Sequence, residues 1–526
     1  MDSEIPGKPV ATSSTPTWKT FKFPLRITAL ALIGAIIAVF IAGEHRQGGV
    51  MKMMGIFLVW SVVNLVWLIF FSKLIAKWKL VLLAVVILPL LITKSLFTIN
   101  GVSGDLVPII EWKGDSVELE APIIMTEGLE ENSDEVNEGA GDFRQFLGND
   151  RNIRVSDVKL ASDWEAVPPK ELWRRDVGEG WSGFAVAGRF AITMEQRKED
   201  EMIIAYHLLT GVPLWEYHYV AKYDNPVGGV GPRTTVAVDD NVVFCLGSTG
   251  MLTALNLENG ERIWQVSLMD LMGAPLPEWG FASSPLIHDG NVIVSSGAPN
   301  GNSLTAFNRE TGEKAWSGGS EKAAWSTPML AEVAGKQVIL MVTHKKVTAH
   351  DPESGKPVWT YPWDNKNMPN VSVPLVFEDD QVLLSSGYGK GAELIKISAD
   401  GEGVFSANRV WKSLSMKAKF SNMALIDRHV FGLDDGIFAC VNVETGRRVW
   451  KDGRYGHGQI LLVDDLFLIS CENGSVVLVE GDITESKELT RFEAFDHKMW
   501  NPPALAGKYL LVRTHKQAAC YELPVK

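Results

Sequence analysis

Cysteine is scarce in this chain, four in 526 residues, which excludes a disulfide-dense scaffold. Cys245, Cys440, Cys471 and Cys520 are never adjacent and never C-x-x-C spaced, so no zinc-knuckle pattern is present. They sit in apolar runs (VVFCLGS, FACVNV, LISCENG, QAACYEL), where a buried, inert thiol is expected. Positive charge is also short. Fifty basic against 63 acidic side chains give a net charge of −13, which argues against a nucleic-acid partner. The chain has no G-x-x-x-x-G-K-[ST], H-E-x-x-H or G-x-S-x-G pattern, the signatures of phosphate loops, zinc peptidases and nucleophile elbows. The ten histidines are scattered, and His207 and His218 straddle a turn that reads as surface. A hydrophobic content of 46% excludes a disordered or collagen-like chain.

What is present begins with three apolar runs: Ile27–Ala42 (extending back to Phe23), Met53–Phe71 and Leu80–Phe97. Each approaches the ~20 residues that span a hydrocarbon core. The third contains Pro89, which a membrane helix tolerates as a kink. Three such runs in succession read as a three-helix transmembrane anchor over 23–100, behind a cytoplasmic tail 1–22. Lys8, Lys19, Lys22 and Arg26 in the tail, and Lys73, Lys77 and Lys79 in the second loop, outnumber Arg46 and Lys52 in the first loop. The tail and second loop are therefore expected in the cytoplasm, with everything after Phe97 on the far side. Asn64, midway along the second run, is expected to hydrogen-bond between helices.

No basic residue occurs between Lys113 and Arg144, while Glu127, Glu130, Glu131, Asp134, Glu135, Glu138 and Asp142 crowd the same stretch. Such a run cannot bury enough apolar surface to offset its ordering entropy. Residues 101–141 read as an acidic linker, with a small strand pair expected between DLVPIIEWKG and VELEAPIIM.

From residue 171 onward one pattern recurs: AYHLLTGVPLW (from Ala205), ALNLENGERIW (Ala254), AFNRETGEKAW (Ala306), AHDPESGKPVW (Ala349) and CVNVETGRRVW (Cys440). Position one is small, position seven is Gly and position eleven is Trp. The alternating segment before the Gly reads as a strand, and the [TSN]-G pair as a tight turn in which Gly takes positive φ. Two further strands precede each hairpin, such as TTVAVDD and NVVFCLGS. The unit is therefore four antiparallel strands. ELIKISADGEGVFSANRVW is a degenerate copy ending at Trp411. NPPALAGKYLLVRTHKQAACYELPVK supplies three strands, and KELWRRDVG, carrying Trp173, supplies the fourth. Seven complete units and one shared between the chain ends make eight.

Units of 40–50 residues with four strands read as propeller blades, and joining the ends removes the unpaired edges. The expected fold is all-β: an eight-bladed propeller over 142–526 preceded by three transmembrane α-helices. Trp173, Trp215, Trp264, Trp316, Trp359, Trp411 and Trp450 are expected to dock structurally between blades. Each burial is worth roughly 4–6 kcal/mol as an upper bound.

These hairpins resemble the tryptophan-docking repeats of the PQQ-like β-propeller family, and DFRQFLGNDRNIRVSDVKLASDWEAVPPKELWRRDVGEGWSGF resembles the opening of bacterial PQQ-repeat proteins. The family includes quinoprotein alcohol and sugar dehydrogenases, and non-enzymatic members similar to BamB, the outer-membrane assembly lipoprotein. The adjacent-cysteine disulfide of many of the dehydrogenases is missing here, and no calcium-binding Glu/Asn/Asp trio is evident. The resemblance therefore implies a non-catalytic binding scaffold with no catalytic residues, metal or cofactor. The alternative is a membrane-bound dehydrogenase using PQQ and Ca²⁺ and reducing membrane quinone.

Propeller geometry puts the starts of the innermost strands, and the turns between second and third strands, at one mouth of the central tunnel. The Gly-Trp hairpins lie at the other end. The mouth residues are then Trp181, Arg197, Arg233, Trp325, Lys419, His457, Trp500 and Asn501, a set richer in cations and aromatics than the acidic domain around it. The expected partners are the lipid bilayer and an envelope protein or peptide at this mouth, in the periplasm of a bacterial cytoplasmic-membrane protein. Arg233 and His457 would supply charge or hydrogen bonds, and Trp325 and Trp500 flat apolar walls.

Overall fold

A computed structural model describes residues 21–42, 46–72, 74–115, 141–366 and 368–526. Residues 1–20 of the expected tail and 116–140 of the acidic linker lie outside the described residues. The chain separates into two compact units, 1–117 and 118–526.

The first unit contains helices α1 (Lys22–Ala42), α2 (Arg46–Val66, continued by a π turn over Trp67–Phe71) and α3 (Ala76–Leu96). All three are long and apolar enough to cross a membrane. Ala31, Ala35 and Ala38 are the buried hydrophobic residues of α1. A Cβ added at Gly34 would lie 3.5 Å from Ile56 of α2. Small residues thus let the two helices approach closely. The bond expected of Asn64 is not interhelical. Asn64 Nδ2 donates to the Trp60 carbonyl one turn back at 2.8 Å, and an interhelical bond runs instead from Trp60 Nε1 to Thr28 Oγ1 at 2.9 Å. A short amide reaches its own backbone more readily than a neighbouring helix. After α3, Phe97–Val102 pairs with Pro108–Trp112. The expected hairpin is therefore shifted toward the helix; its other half, 117–125, lies outside the described residues.

The second unit is built of antiparallel sheets in which consecutive strands are neighbours. They are named here I (185–220), II (237–267), III (286–318), IV (329–362), V (375–413), VI (418–454), VII (459–493) and VIII (504–522). Each has four strands of its own order except VIII, whose fourth strand is Lys170–Asp176 from upstream in the chain. Sheet VII also gains Arg154–Val155, parallel to Leu462–Val463.

The repeat explains the outer hairpins. Its small first residue stands opposite the Trp: Ala254 pairs with Trp264, Ala306 with Trp316 and Cys440 with Trp450. Cys520 pairs with Trp173 by the same rule. The turn is wider than a two-residue hairpin. The Gly260 amide donates to the carbonyl of Asn256, four residues earlier, at 2.9 Å, and Gly312 does the same to Asn308. The Asn256 side chain accepts from the Glu258 amide at 2.9 Å, which satisfies a loop donor that the ladder leaves open. Each indole then crosses to the next sheet. Nε1 of Trp173, Trp215, Trp264 and Trp411 donates to the carbonyls of Leu208, Leu257, Arg309 and Val443, each three residues before a repeat glycine. Trp359 is buried against sheet V, which lacks the glycine turn.

Candidate functional site

Polar side chains at the starts of the first strands tie the sheets together. Trp181 N donates to Pro232 O at 2.7 Å, Thr235 N to Ser284 Oγ at 2.9 Å and Ser284 N to Thr327 Oγ1 at 3.1 Å. Ser326 Oγ donates to Ser372 O at 3.2 Å, and Ser372 Oγ to Ser421 O at 2.6 Å. Gln459 Nε2 reaches both Phe420 O at 2.9 Å and Trp500 O at 3.1 Å. Asn501 Nδ2 donates to Ser182 O at 2.8 Å. These bonds run from sheet I through each sheet in turn to VIII and back to I, which is why Ser, Thr, Asn and Gln recur there.

Above this belt lies an arc of rings. Tyr388 and Phe420 have centroids 6.4 Å apart, Phe420 and Trp500 4.9 Å, Trp500 and Trp181 5.3 Å, and Trp181 and His515 5.5 Å. His457 meets Phe420 edge-on at 5.9 Å. Two ammonium groups lie against the arc: Lys498 Nζ is 3.8 Å from the Trp500 centroid and Lys419 Nζ 4.5 Å from that of Tyr388. Cations over ring faces are attracted by the ring quadrupole. Glu472 holds the arc in place by accepting from Trp500 Nε1 at 2.9 Å and from the His457 amide at 3.0 Å. Four of the expected residues, Trp181, Lys419, His457 and Trp500, are thus brought together.

A second cluster contains Trp325, its ring tilted 44° to that of Trp279 at 4.8 Å between centroids, and Arg233, 4.7 Å above the Tyr223 ring. The Arg233 guanidinium is already occupied. It donates to the carbonyls of Gly231, Gly228 and Gly229 at 2.5, 2.9 and 2.7 Å, and burial pulls its pKa down to about 10. Its place is to hold the 228–233 loop. Arg197 is buried, its Nη2 3.0 Å from Glu195 Oε2, and Glu195 also accepts from the Gly178 amide and the Tyr206 hydroxyl. Asn501 is spent on the carbonyls of Gly180 and Ser182.

Sequence reasoning missed Phe420, Tyr388 and Trp279. Phe420 precedes Ser421 by one residue, so starting the strand one position earlier would have found it. Tyr388 sits in a turn at a φ of 58°, and Trp279 in a long connector, where periodicity is silent. His207 is not at the surface: it is 2% exposed, its Nδ1 3.0 Å from Thr210 Oγ1. It occupies the repeat position that Asn or Asp fills elsewhere, under the glycine turn.

The lead-in segment 142–155 packs across the first strands. Phe143 bridges Val186 of sheet I, and Arg144 O accepts from Val238 N of sheet II at 2.8 Å. Arg151 donates to Pro285 O and Pro328 O beside sheets III and IV, Arg154 to Leu425 O of VI, and Val155 runs beside VII. Phe143, Ile153 and Val155 are buried. The lead-in segment thus touches the first strands of sheets I, II, VI and VII and the residues just before those of III and IV.

Among the described residues, no group of three or more His, Cys, Asp or Glu side chains is gathered to hold a metal ion. Three acids near the mouth are engaged: Glu195 by Arg197, Glu472 by Trp500, Asp434 by Lys417 and Lys451. All four cysteines are buried and unpaired.

A family model described as outer membrane protein assembly factor BamB matches residues 130–274 and 272–452. Outer membrane protein assembly factor BamB of Shewanella oneidensis is 27% identical over 166 residues, 30% of this chain and 39% of that protein. The Escherichia coli K12 protein of the same name is 33% identical over 98 residues, 18% of this chain and 24% of that protein. The match spans less than half the length of either relative. Among solved structures, a europium-containing methanol dehydrogenase superposes with a TM-score of 0.54 and 13% identity, covering 73% of this chain and 91% of that one. At that identity the likeness is one of fold.

Proposed function

We propose, from the premise that this chain belongs to the family described as outer membrane protein assembly factor BamB, that it is a membrane-anchored, non-catalytic binding scaffold of the bacterial cell envelope. In this reading sheets I–VIII are the blades of one closed eight-bladed PQQ-like propeller over 142–526. The belt of bonds from Trp181 to Asn501, and the completion of sheet VIII by the Trp173 strand, support closure. Helices α1–α3 hold it in the cytoplasmic membrane, and the Lys/Arg bias places the N-terminus in the cytoplasm and the propeller in the periplasm.

The observation that carries the binding role is the mouth itself. It presents half-buried aromatic rings flanked by Lys419 and Lys498. Rigid aromatics offer large contact area at low entropy cost and favour protein recognition. The occupant is read as a segment of another envelope protein. The test places a photo-crosslinking residue at Tyr388 or Lys498 in intact cells, with Glu258 on the opposite hairpin face as control. A discrete adduct from the mouth positions alone supports the reading; equal adducts from Glu258, or none from the mouth, would overturn it.

The dehydrogenase reading needs PQQ and Ca²⁺ at the same mouth. Glu195, Glu472 and Asp434 there are committed to protein partners, which argues against a calcium-held quinone. Adding PQQ and Ca²⁺ to the purified full chain and finding dye reduction by alcohols or sugars would reverse that conclusion.

A further inference from the structure

Helix α3 ends at Leu96, and the next residue, Phe97, already begins a strand. That strand, Phe97–Val102, pairs antiparallel with Pro108–Trp112. Phe97 stands opposite Trp112, and Ile99 opposite Ile110. Residues two apart on a strand share a face, and so do residues directly opposite on its partner. These four large side chains therefore lie together. Thr98 and Glu111, another opposed pair, belong to the other face.

The apolar face is the open one. Phe97, Ile99, Ile110 and Trp112 are 38%, 64%, 61% and 55% exposed, whereas Ile109 and Glu111 between them are half-buried. A hairpin in water presents the reverse, and two strands alone are at best marginally stable there. A contiguous apolar patch of this kind marks an interaction surface. Its position says what covers it. Leu96 closes a helix long and apolar enough to cross a membrane, and no residue intervenes before the strand. The hairpin therefore starts where acyl chains give way to head groups. Lys113, one residue past the second strand, donates from Nζ to the Lys94 carbonyl in the last turn of α3 at 2.9 Å. That bond returns the far end of the hairpin to the same level. Indole and ammonium groups both suit this boundary. The unpaired edges of two strands exclude the hairpin from the hydrocarbon core, but among head groups they are hydrated.

We propose that the 97–112 hairpin lies on the membrane surface, with Phe97, Ile99, Ile110 and Trp112 among the upper acyl chains and Thr98 and Glu111 on the side away from them. The partner of this surface is the lipid bilayer, in the leaflet where α3 ends. The inference rests on the reading of α1–α3 as membrane spans and goes beyond it. The hairpin is a lateral foot that holds the exit of α3 at a fixed depth, so that the chain leaves the membrane surface at Trp112 instead of Leu96.

The test uses the full chain in lipid nanodiscs, with a nitroxide label on one introduced cysteine at a time. The variants are Ile99→Cys and Ile110→Cys on the apolar face, Thr98→Cys and Glu111→Cys on the other, and Ile87→Cys within α3. The wild-type chain, whose four cysteines are buried, supplies the background. Relaxation of each label by oxygen, which concentrates in hydrocarbon, is compared with that by a water-soluble nickel chelate. The oxygen-to-nickel ratio is expected to be highest at Ile87, lower at Ile99 and Ile110, and severalfold lower again at Thr98 and Glu111. A label in water at Ile87 would overturn the anchoring reading and this proposal with it. A label in lipid at Ile87 together with equal ratios on the two hairpin faces would overturn this proposal alone. Labels at Ile99 and Ile110 sheltered from both agents would also overturn it, since protein and not lipid would then cover the face.

Discussion

The indole of Trp173 lies on Gly211 so closely that a Cβ added to the glycine would sit 2.6 Å from the ring. Trp173 belongs to the strand that completes sheet VIII, and Gly211 to the outer hairpin of sheet I, so this contact joins the two ends of the repeat array. The same relation recurs between Trp215 and Gly260, at 2.6 Å, and between Trp264 and Gly312, at 2.7 Å. The glycine is needed twice over: for its φ of +67° and for the space the indole occupies.

These two requirements can be separated. Gly188 has a φ of +53°, but nothing lies within 4 Å of its added Cβ. Gly188→Ala is expected to cost only the backbone term, about 1 kcal/mol. Gly211→Ala adds displacement of the indole, for a further 1–3 kcal/mol, roughly. Thermal unfolding of both variants checks this; equal shifts would show that the close approach carries no energy.

The docking tryptophans are not equivalent. Trp264 Nε1 donates to Arg309 O at 2.9 Å, whereas the buried Nε1 of Trp316 has no acceptor. Trp264→Phe should therefore lose about 1 kcal/mol, while Trp316→Phe removes an unsatisfied donor and should be close to neutral. Trp264→Ala, which also empties a buried site, should cost about 3–5 kcal/mol. Denaturation midpoints in the order Trp316→Phe, Trp264→Phe, Trp264→Ala are the expected result.

Glu201 is fully buried, accepting from the Ser248 amide at 3.0 Å and from the hydroxyls of Ser248 and Tyr219. Burial outweighs these bonds and holds its carboxyl above the ordinary carboxylate range. The folded protein therefore keeps this proton to higher pH than the unfolded chain does. Stability falls as pH rises from the ordinary carboxylate pKa through the raised one. Glu201→Gln should flatten the fall in melting temperature as pH rises above the ordinary carboxylate range. Parallel profiles for wild type and variant would contradict the assignment.

Burial pushes the thiols of Cys440 and Cys471 up to about 12, and Cys245 and Cys520 are raised as well. A thiol reagent at about pH 8 should label none of the four in the folded protein and all four in denaturant. A fast-reacting cysteine in the folded state would disprove this burial.

The lead-in segment is tied by the amides of Leu462 and Asp464, which donate to the carbonyls of Ile153 and Val155 at 2.9 Å. Ile153 is 1% exposed. Ile153→Ala should cost about 2–4 kcal/mol and speed hydrogen exchange at those two amides ahead of the rest of sheet VII. Unchanged protection there would mean that the segment is not held by this side chain.

The repeat made most of the fold legible. Small residue, Gly and Trp at fixed spacing encode a strand pair, a left-handed turn and an anchor, all local requirements written within eleven residues. The degenerate copy ending at Trp411 and the shared fourth strand at Trp173 followed from counting. The mouth was half legible. Trp181, Lys419, His457 and Trp500 meet as the strand starts imply, but Arg233 and Arg197 carry the same charges and are spent inside the protein. A one-letter code does not record whether a guanidinium finds three carbonyls before it finds a ligand.

By itself, then, the sequence determined the β-strand units, the apolar helices and the burial of the cysteines, because each rests on periodicity or composition over a short window. Only the tertiary structure decided that residues 142–155 pack across the first strands and that Phe420 and Tyr388 extend the ring arc. Those outcomes depend on contacts between residues well separated in the chain, such as Arg151 with Pro328 and Tyr388 with Phe420, where energy is set by proximity in space and the sequence carries no period to mark it.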